Sequence, residues 1–142
     1  MKRAIVRTGV AFLTLVVIAT PALAKKPTRS PEQGTWKVKV TPDGDAASKG
    51  EKQTEDTLMI EQGIFRSTAW DPYGFPPVPY TLQGTTFTAD PVSRQAGKIH
   101  WSGIVSGDTV AGRMLWTKKD GSVLNYTFSG TRAPQQKAKK QK

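Results

Sequence analysis

The sequence predicts an all-β protein, an eight-stranded antiparallel meander closed into an up-and-down barrel, and three observations carry that reading. Between positions 34 and 132 the hydrophobic residues recur with a period of two. No window shows the period of an amphipathic helix. The apolar runs are joined mostly by hairpin-length turns, among them Gln62-Gly63, Ser106-Gly107 and Asp120-Gly121. Closure is expected because an open meander would expose two unpaired edges, which a barrel removes. A small β-sandwich uses the same strand signals and stays open as the alternative.

The first strand, 35–41, puts Trp36, Val38 and Val40 on one face and Thr35, Lys37 and Lys39 on the other. Segment 42–53, with Asp-Gly and mixed charge, reads as a surface loop. The second strand, 55–61, turns Leu58 and Ile60 inward, and a tight turn leads to the third, 64–70, whose core candidates are Phe65, Ser67 and Ala69. Residues 71–79, DPYGFPPVP, cannot be a central strand because prolines have no N–H to give to a ladder. They form a stiff loop. Strands 78–82 and 85–90 make a short hairpin about Gln83-Gly84, and 90–97 is a further loop. The last three strands are 98–105, 108–118 and 121–131. Val110, Gly112, Met114 and Trp116 are in phase on the strand 108–118, and Leu124, Tyr126, Phe128, Gly130 and Arg132 are in phase on the last strand.

A chain of 142 residues has room for one compact domain plus ends. Lys2, Arg3 and Arg7, an apolar run over 9–19, Pro21 and Ala22-Leu23-Ala24 have the three-part layout of a secretory signal, with cleavage expected after Ala24. The run is too short to span a bilayer, and no other apolar stretch approaches that length. The expected organisation is a signal peptide at 1–24, a basic linker at 25–33, the barrel at 34–132 and a Lys-rich tail at 133–142. Export to a periplasm or to the outside of the cell follows from the signal.

Charge divides the same way. The formal net charge is +10, yet 34–132 carries 11 basic and 10 acidic residues, so the excess sits in the ends. After cleavage these are Lys25, Lys26 and Arg29 on one side and Lys137, Lys139, Lys140 and Lys142 on the other. No aromatic residues interleave them to stack on bases, so nucleic acid is not an expected partner. Solvated, disordered tails are expected, with an anionic envelope component as the partner their charge would hold.

The absence of cysteine excludes disulfides, thiol nucleophiles and cysteine-type zinc sites. His100, the only histidine, lies between the inward Ile99 and Trp101 and so faces out, without a partner for nucleophile–base chemistry. The acidic residues are scattered over turns and outward positions, and Asp43, Asp45 and Glu51 lack the spacing of a calcium loop. No catalytic residue, metal or cofactor is expected. Aromatic residues are the remainder. Trp70, Tyr73, Phe75 and Tyr80 surround the proline loop, while Trp101, Trp116, Tyr126 and Phe128 lie on the closing strands, where filling a small barrel is their default use. Aromatic side chains on a rigid loop at a barrel mouth can instead line a site, which makes Trp70, Tyr73, Phe75 and Tyr80, with Trp101, Trp116 and Tyr126, the candidate ligand contacts.

Finally, the first strand opens Gly34-Thr35-Trp36 and the last closes Gly130-Thr131-Arg132. This resembles the calycin superfamily of lipocalin-like and avidin-like barrels, in which Gly-x-Trp on the first strand is covered by an Arg from the last. The resemblance implies that the terminal strands are neighbours and that Arg132 stacks on Trp36. The functional expectation is an exported, non-enzymatic binding protein holding a small apolar or amphipathic ligand at its mouth. The alternative is an envelope-associated interaction protein with a filled barrel, acting through its outer surface and basic tails.

Overall fold

Inward-facing apolar side chains on every long strand must be buried together, and the sheet does this by rolling up on itself. The computed structural model describes residues 29–134; the expected signal peptide, the linker as far as residue 28 and the tail from residue 135 lie outside the described residues. Strands β1 (Gly34–Pro42), β2 (Thr54–Glu61), β3 (Ile64–Ser67), β4 (Val78–Gln83), β5 (Thr86–Ala89), β7 (Gly97–Ser106), β8 (Thr109–Thr117) and β9 (Val123–Arg132) pair antiparallel in that order. The ring closes between β1 and β9, with Trp36 opposite Arg132 and Val40 opposite Phe128. A two-residue strand, β6 (Val92–Ser93), adds to the start of β7. The result is a closed eight-stranded antiparallel barrel, which decides against the sandwich.

Three local features depart from the sequence-based expectation. The loop after β1 contains a short helix, α1 (Gly44–Ser48), because Asp43 caps it: its Oδ1 accepts from the Ala46 N–H at 2.8 Å, and Ala46 is buried against the barrel. The third strand ends at Ser67 rather than at Trp70. Beyond it Trp70 turns inward and a single 3-10 turn, Asp71–Tyr73, starts the proline loop. Loop 90–97 contributes β6.

The interior is filled by rings. Phe65 contacts Phe87 and Trp101, and Phe128 contacts Phe87 and Trp101, with centroids 5.3–6.4 Å apart. Space for them comes from Gly103 and Gly112, paired across β7 and β8: a Cβ at Gly103 would stand 2.6 Å from the Phe87 ring, and one at Gly112 would stand 2.8 Å from Phe128. Each large ring thus occupies room left bare by its ladder partner on the neighbouring strand, Phe87 beside Gly103 and Phe128 beside Gly112.

Candidate functional site

The two ends of the barrel are different. At the lower end, where the chain enters at residues 29–33 and leaves after Arg132, the guanidinium of Arg132 lies 4.3 Å from the Trp36 ring centroid. It donates to the Pro31 carbonyl at 2.6 Å and to the Gln33 carbonyl, and pairs with Asp108 at 3.2 Å. The indole N–H of Trp36 donates to the Glu32 carbonyl at 2.9 Å. Gly34 is required by two facts: its φ is +142°, and a Cβ there would meet Arg132 Nη1 at 2.8 Å. Gly34, Trp36 and Arg132 therefore do come together, as a brace across the barrel's closing seam.

Tyr80 belongs to this lower end. Its hydroxyl donates to Glu32 Oε1 at 2.7 Å, and Glu32 is almost fully buried, its other carboxylate oxygen without a partner. Burial first, and then the hydrogen bond to Glu32, push the Tyr80 phenol up to about 12.

The upper end carries the rest of the aromatic set. Trp70 packs edge-on to Trp101 and Tyr126, and Phe75 and Tyr73 pack edge-on to Trp116. Trp70, Phe75, Trp101, Trp116 and Tyr126 are buried, whereas Tyr73 is about half exposed. The proline loop thus closes the mouth as a lid. The sequence-based candidates form one cluster of six around that lid, while Tyr80 is separated from them at the opposite pole.

Buried polar groups hold the lid. Asp56 points inward from β2, accepting from the Ser67 hydroxyl at 2.5 Å and the Ala69 N–H at 2.9 Å where the chain leaves β3. Burial raises its pKa despite these hydrogen bonds. Ser93 donates to the Tyr73 carbonyl at 2.7 Å and accepts from the N–H groups of Gln95 and Ala96. Arg66 pairs with Asp71 across the loop's base. The Tyr126 hydroxyl donates to Glu51 at 2.9 Å, and burial raises the Tyr126 phenol too. Asp56 and Glu32 correct the expectation that the acidic residues occupy only turns and outward positions. Strand alternation from Leu58 would have placed Asp56 inward; no sequence signal marks Glu32.

Outside, His100 Nδ1 meets Asp90 Oδ1 at 2.5 Å, a partner ten residues away that the sequence reading missed. Both are exposed, with 49% and 70% of their side-chain surface accessible. Ser102 and Arg113 line the same outer cleft of about 580 Å³, and no hydrogen bond joins Ser102 to His100 among the described residues. The two form an exposed hydrogen-bonded pair to which no nucleophile is joined among the described residues.

Two further clefts, of about 540 and 530 Å³, follow the outer face of β1. The lower one is lined by Arg29, Lys37, Glu61, Arg132 and Pro134 among others, and the upper by Lys37 and Lys39 together with the carboxylates Glu55 and Asp56, Thr57 and Ser129. No group of three His, Asp or Glu suited to a metal ion occurs among the described residues. No family model, curated protein or solved structure matches this chain.

Proposed function

We propose that this protein is an exported, non-enzymatic interaction module of calycin-like build that works through its outer surface and basic tails on an anionic envelope component. The packed interior carries the reading. With Phe65, Phe87, Trp101 and Phe128 packed together inside and both ends sealed, the outer wall is the part of the barrel left to act. The Arg132–Trp36 stack supports the calycin-like assignment, since it closes the seam that the resemblance implies. Association of the full chain with an anionic envelope fraction is expected to weaken as salt rises and to be lost when Lys137, Lys139, Lys140 and Lys142 are replaced by Gln. Unchanged association of that variant would remove the reading.

A second reading keeps a small apolar or amphipathic ligand at the upper mouth. It is favoured by the indole N–H groups of Trp70 and Trp101, both buried without an acceptor, beneath a lid whose Tyr73 is exposed. Tryptophan fluorescence titrated with apolar ligands tests it, and flat titrations across a broad panel dispose of it.

A further inference from the structure

The half-exposed tyrosine of the lid stands at the edge of a small cleft at the upper end of the barrel. Its backbone is fixed on three sides. The Tyr73 N–H donates to the Trp70 carbonyl at 3.1 Å, its carbonyl accepts from the Ser93 hydroxyl at 2.7 Å, and the N–H of Gly74 donates to the Asp71 carbonyl at 2.9 Å. The ring leans on Trp116, with centroids 5.3 Å apart and planes at 68°, and Trp116 is held in turn by its indole N–H, which donates to the Ala96 carbonyl at 2.8 Å. A rigid aromatic ring is thus kept partly in water, and covering it is favourable. Beside it opens a cleft of about 360 Å³ lined by Gln95, Ala96, Lys118, Lys119 and Asp120. Lys118 is occupied, 5.0 Å over the Trp116 ring and 3.6 Å from Glu51. Asp120 is positioned, because its Oδ1 accepts from the Ser122 N–H at 2.9 Å and the Ser122 hydroxyl at 2.6 Å. A Cβ on Gly74 would stand 3.8 Å from Gln95 Oε1, which places that amide next to the ring's own turn. Among the described residues the side chains of Gln95 and Lys119, the Tyr73 hydroxyl and Asp120 Oδ2 make no hydrogen bond, so all four are open to a ligand.

We propose that Tyr73, Gln95, Lys119 and Asp120 form a shallow subsite for a sugar ring, one unit of a β-linked glycan of gluco configuration. The inference goes beyond the polyanion reading and does not depend on it. A pyranose whose substituents are all equatorial has a flat face of C–H bonds to lie on an aromatic ring, and a rim of hydroxyls that donate and accept at once. The cleft offers the matching set: an exposed ring, an amide that both donates and accepts, an ammonium donor and a carboxylate acceptor within one opening. Tyrosine suits the first role because it supplies rigid, amphipathic contact area at low entropic cost. With Lys118 engaged by Glu51, the opposed charges of Lys119 and Asp120 favour an uncharged ligand over an anion or a cation. A purely apolar ligand would take three polar groups out of water without replacing their hydrogen bonds.

Titration calorimetry of the full chain with cellopentaose and with N-acetylchitopentaose tests it, and at least one should bind, since both present that C–H face. Tyr73→Ala should weaken the binding about tenfold, and Tyr73→Phe, which keeps the ring, by no more than about threefold. Gln95→Ala should weaken it about fivefold. Unfolding midpoints separate binding from folding. If Tyr73→Ala lowers the midpoint, the decision passes to Gln95→Ala, whose lost side chain makes no hydrogen bond in the fold. Parent affinity retained in either alanine variant, or no binding of either oligosaccharide to the parent, would overturn the site. Neither outcome touches the polyanion reading, which the tail variant tests separately. Poly-L-glutamate represents the competing class of acidic chains and should not displace the bound oligosaccharide. Displacement by it that is lost in Lys119→Gln would make the cleft a lysine site for acidic chains and overturn the proposal.

Discussion

A guanidinium over an indole face contributes about 0.5–2 kcal/mol, and Arg132 adds charge-assisted bonds to two carbonyls of the entering chain. Arg132→Ala should therefore lower stability by about 2 kcal/mol, or a Tm lower by roughly 8–16 °C for a domain of this size. An unmoved melting curve would show that the stack is not the brace. Gly34→Ala acts on the same contact by another route, through backbone strain at positive φ and displacement of Nη1, and should destabilise in the same direction. Tyr80→Phe removes the hydrogen bond to a buried carboxylate that already has one unpartnered oxygen, a cost of about 1–3 kcal/mol near neutral pH. Its ionisation has a definite sign. The folded-state value, about 12, lies above the ordinary phenol value, so the unfolded chain loses the proton first. The contribution is whole below about pH 10 and is lost as pH rises toward the folded value. Denaturant midpoints followed across that window should fall less steeply in Tyr80→Phe than in the parent, with Tyr126 adding a residual slope of the same sign.

At the scale of elements, the lid and the glycine pair are the parts most exposed to single changes. Asp56 anchors the lid's first residues, and its folded pKa is raised above the unfolded one by burial. Its favourable contribution is thus full below about pH 3.9 and is lost as pH rises through the folded value. Asp56→Asn keeps a carbonyl oxygen for the Ala69 N–H and removes the buried charge. At neutral pH it should match or exceed the parent in stability, and the difference should narrow or reverse on acidification. Chemical unfolding at two pH values reads this directly; a variant much weaker than the parent at neutral pH would contradict it. Gly112→Ala has no such compensation. Its Cβ would stand 2.0 Å from the Ser102 carbonyl oxygen and 2.8 Å from the Phe128 ring, so β7 and β8 must separate and the ring must move as well. The loss should exceed the roughly 1–3 kcal/mol usual for an overpacked core, with hydrogen exchange accelerated first in β7 and β8.

For the whole molecule, closure is made by residues far apart in the chain: the Arg132 bond to the Gln33 carbonyl spans 99 positions. A topology dominated by such pairings forms slowly, so refolding should fall in the millisecond-to-second range, and submillisecond refolding would argue against β1–β9 closure in the rate-limiting step. Deletion of β9 should abolish cooperative unfolding, since β1 and β8 would both lose a partner.

The period-two pattern, the proline loop and the hairpin turns were readable without coordinates, because alternation and missing N–H donors are properties of consecutive residues. The same holds for the phase of Trp36 and Arg132 and for the outward face of His100. Tertiary structure alone decided which distant groups meet: Tyr80 with Glu32, Asp56 with the lid, and His100 with Asp90. It also decided that the barrel is full, since whether rings line a cavity or occupy it depends on how deeply opposite walls interdigitate. Room for Phe87 and Phe128 is left here by their ladder partners on the adjacent strands, Gly103 and Gly112, a pairing between residues well apart in the chain that no local pattern encodes.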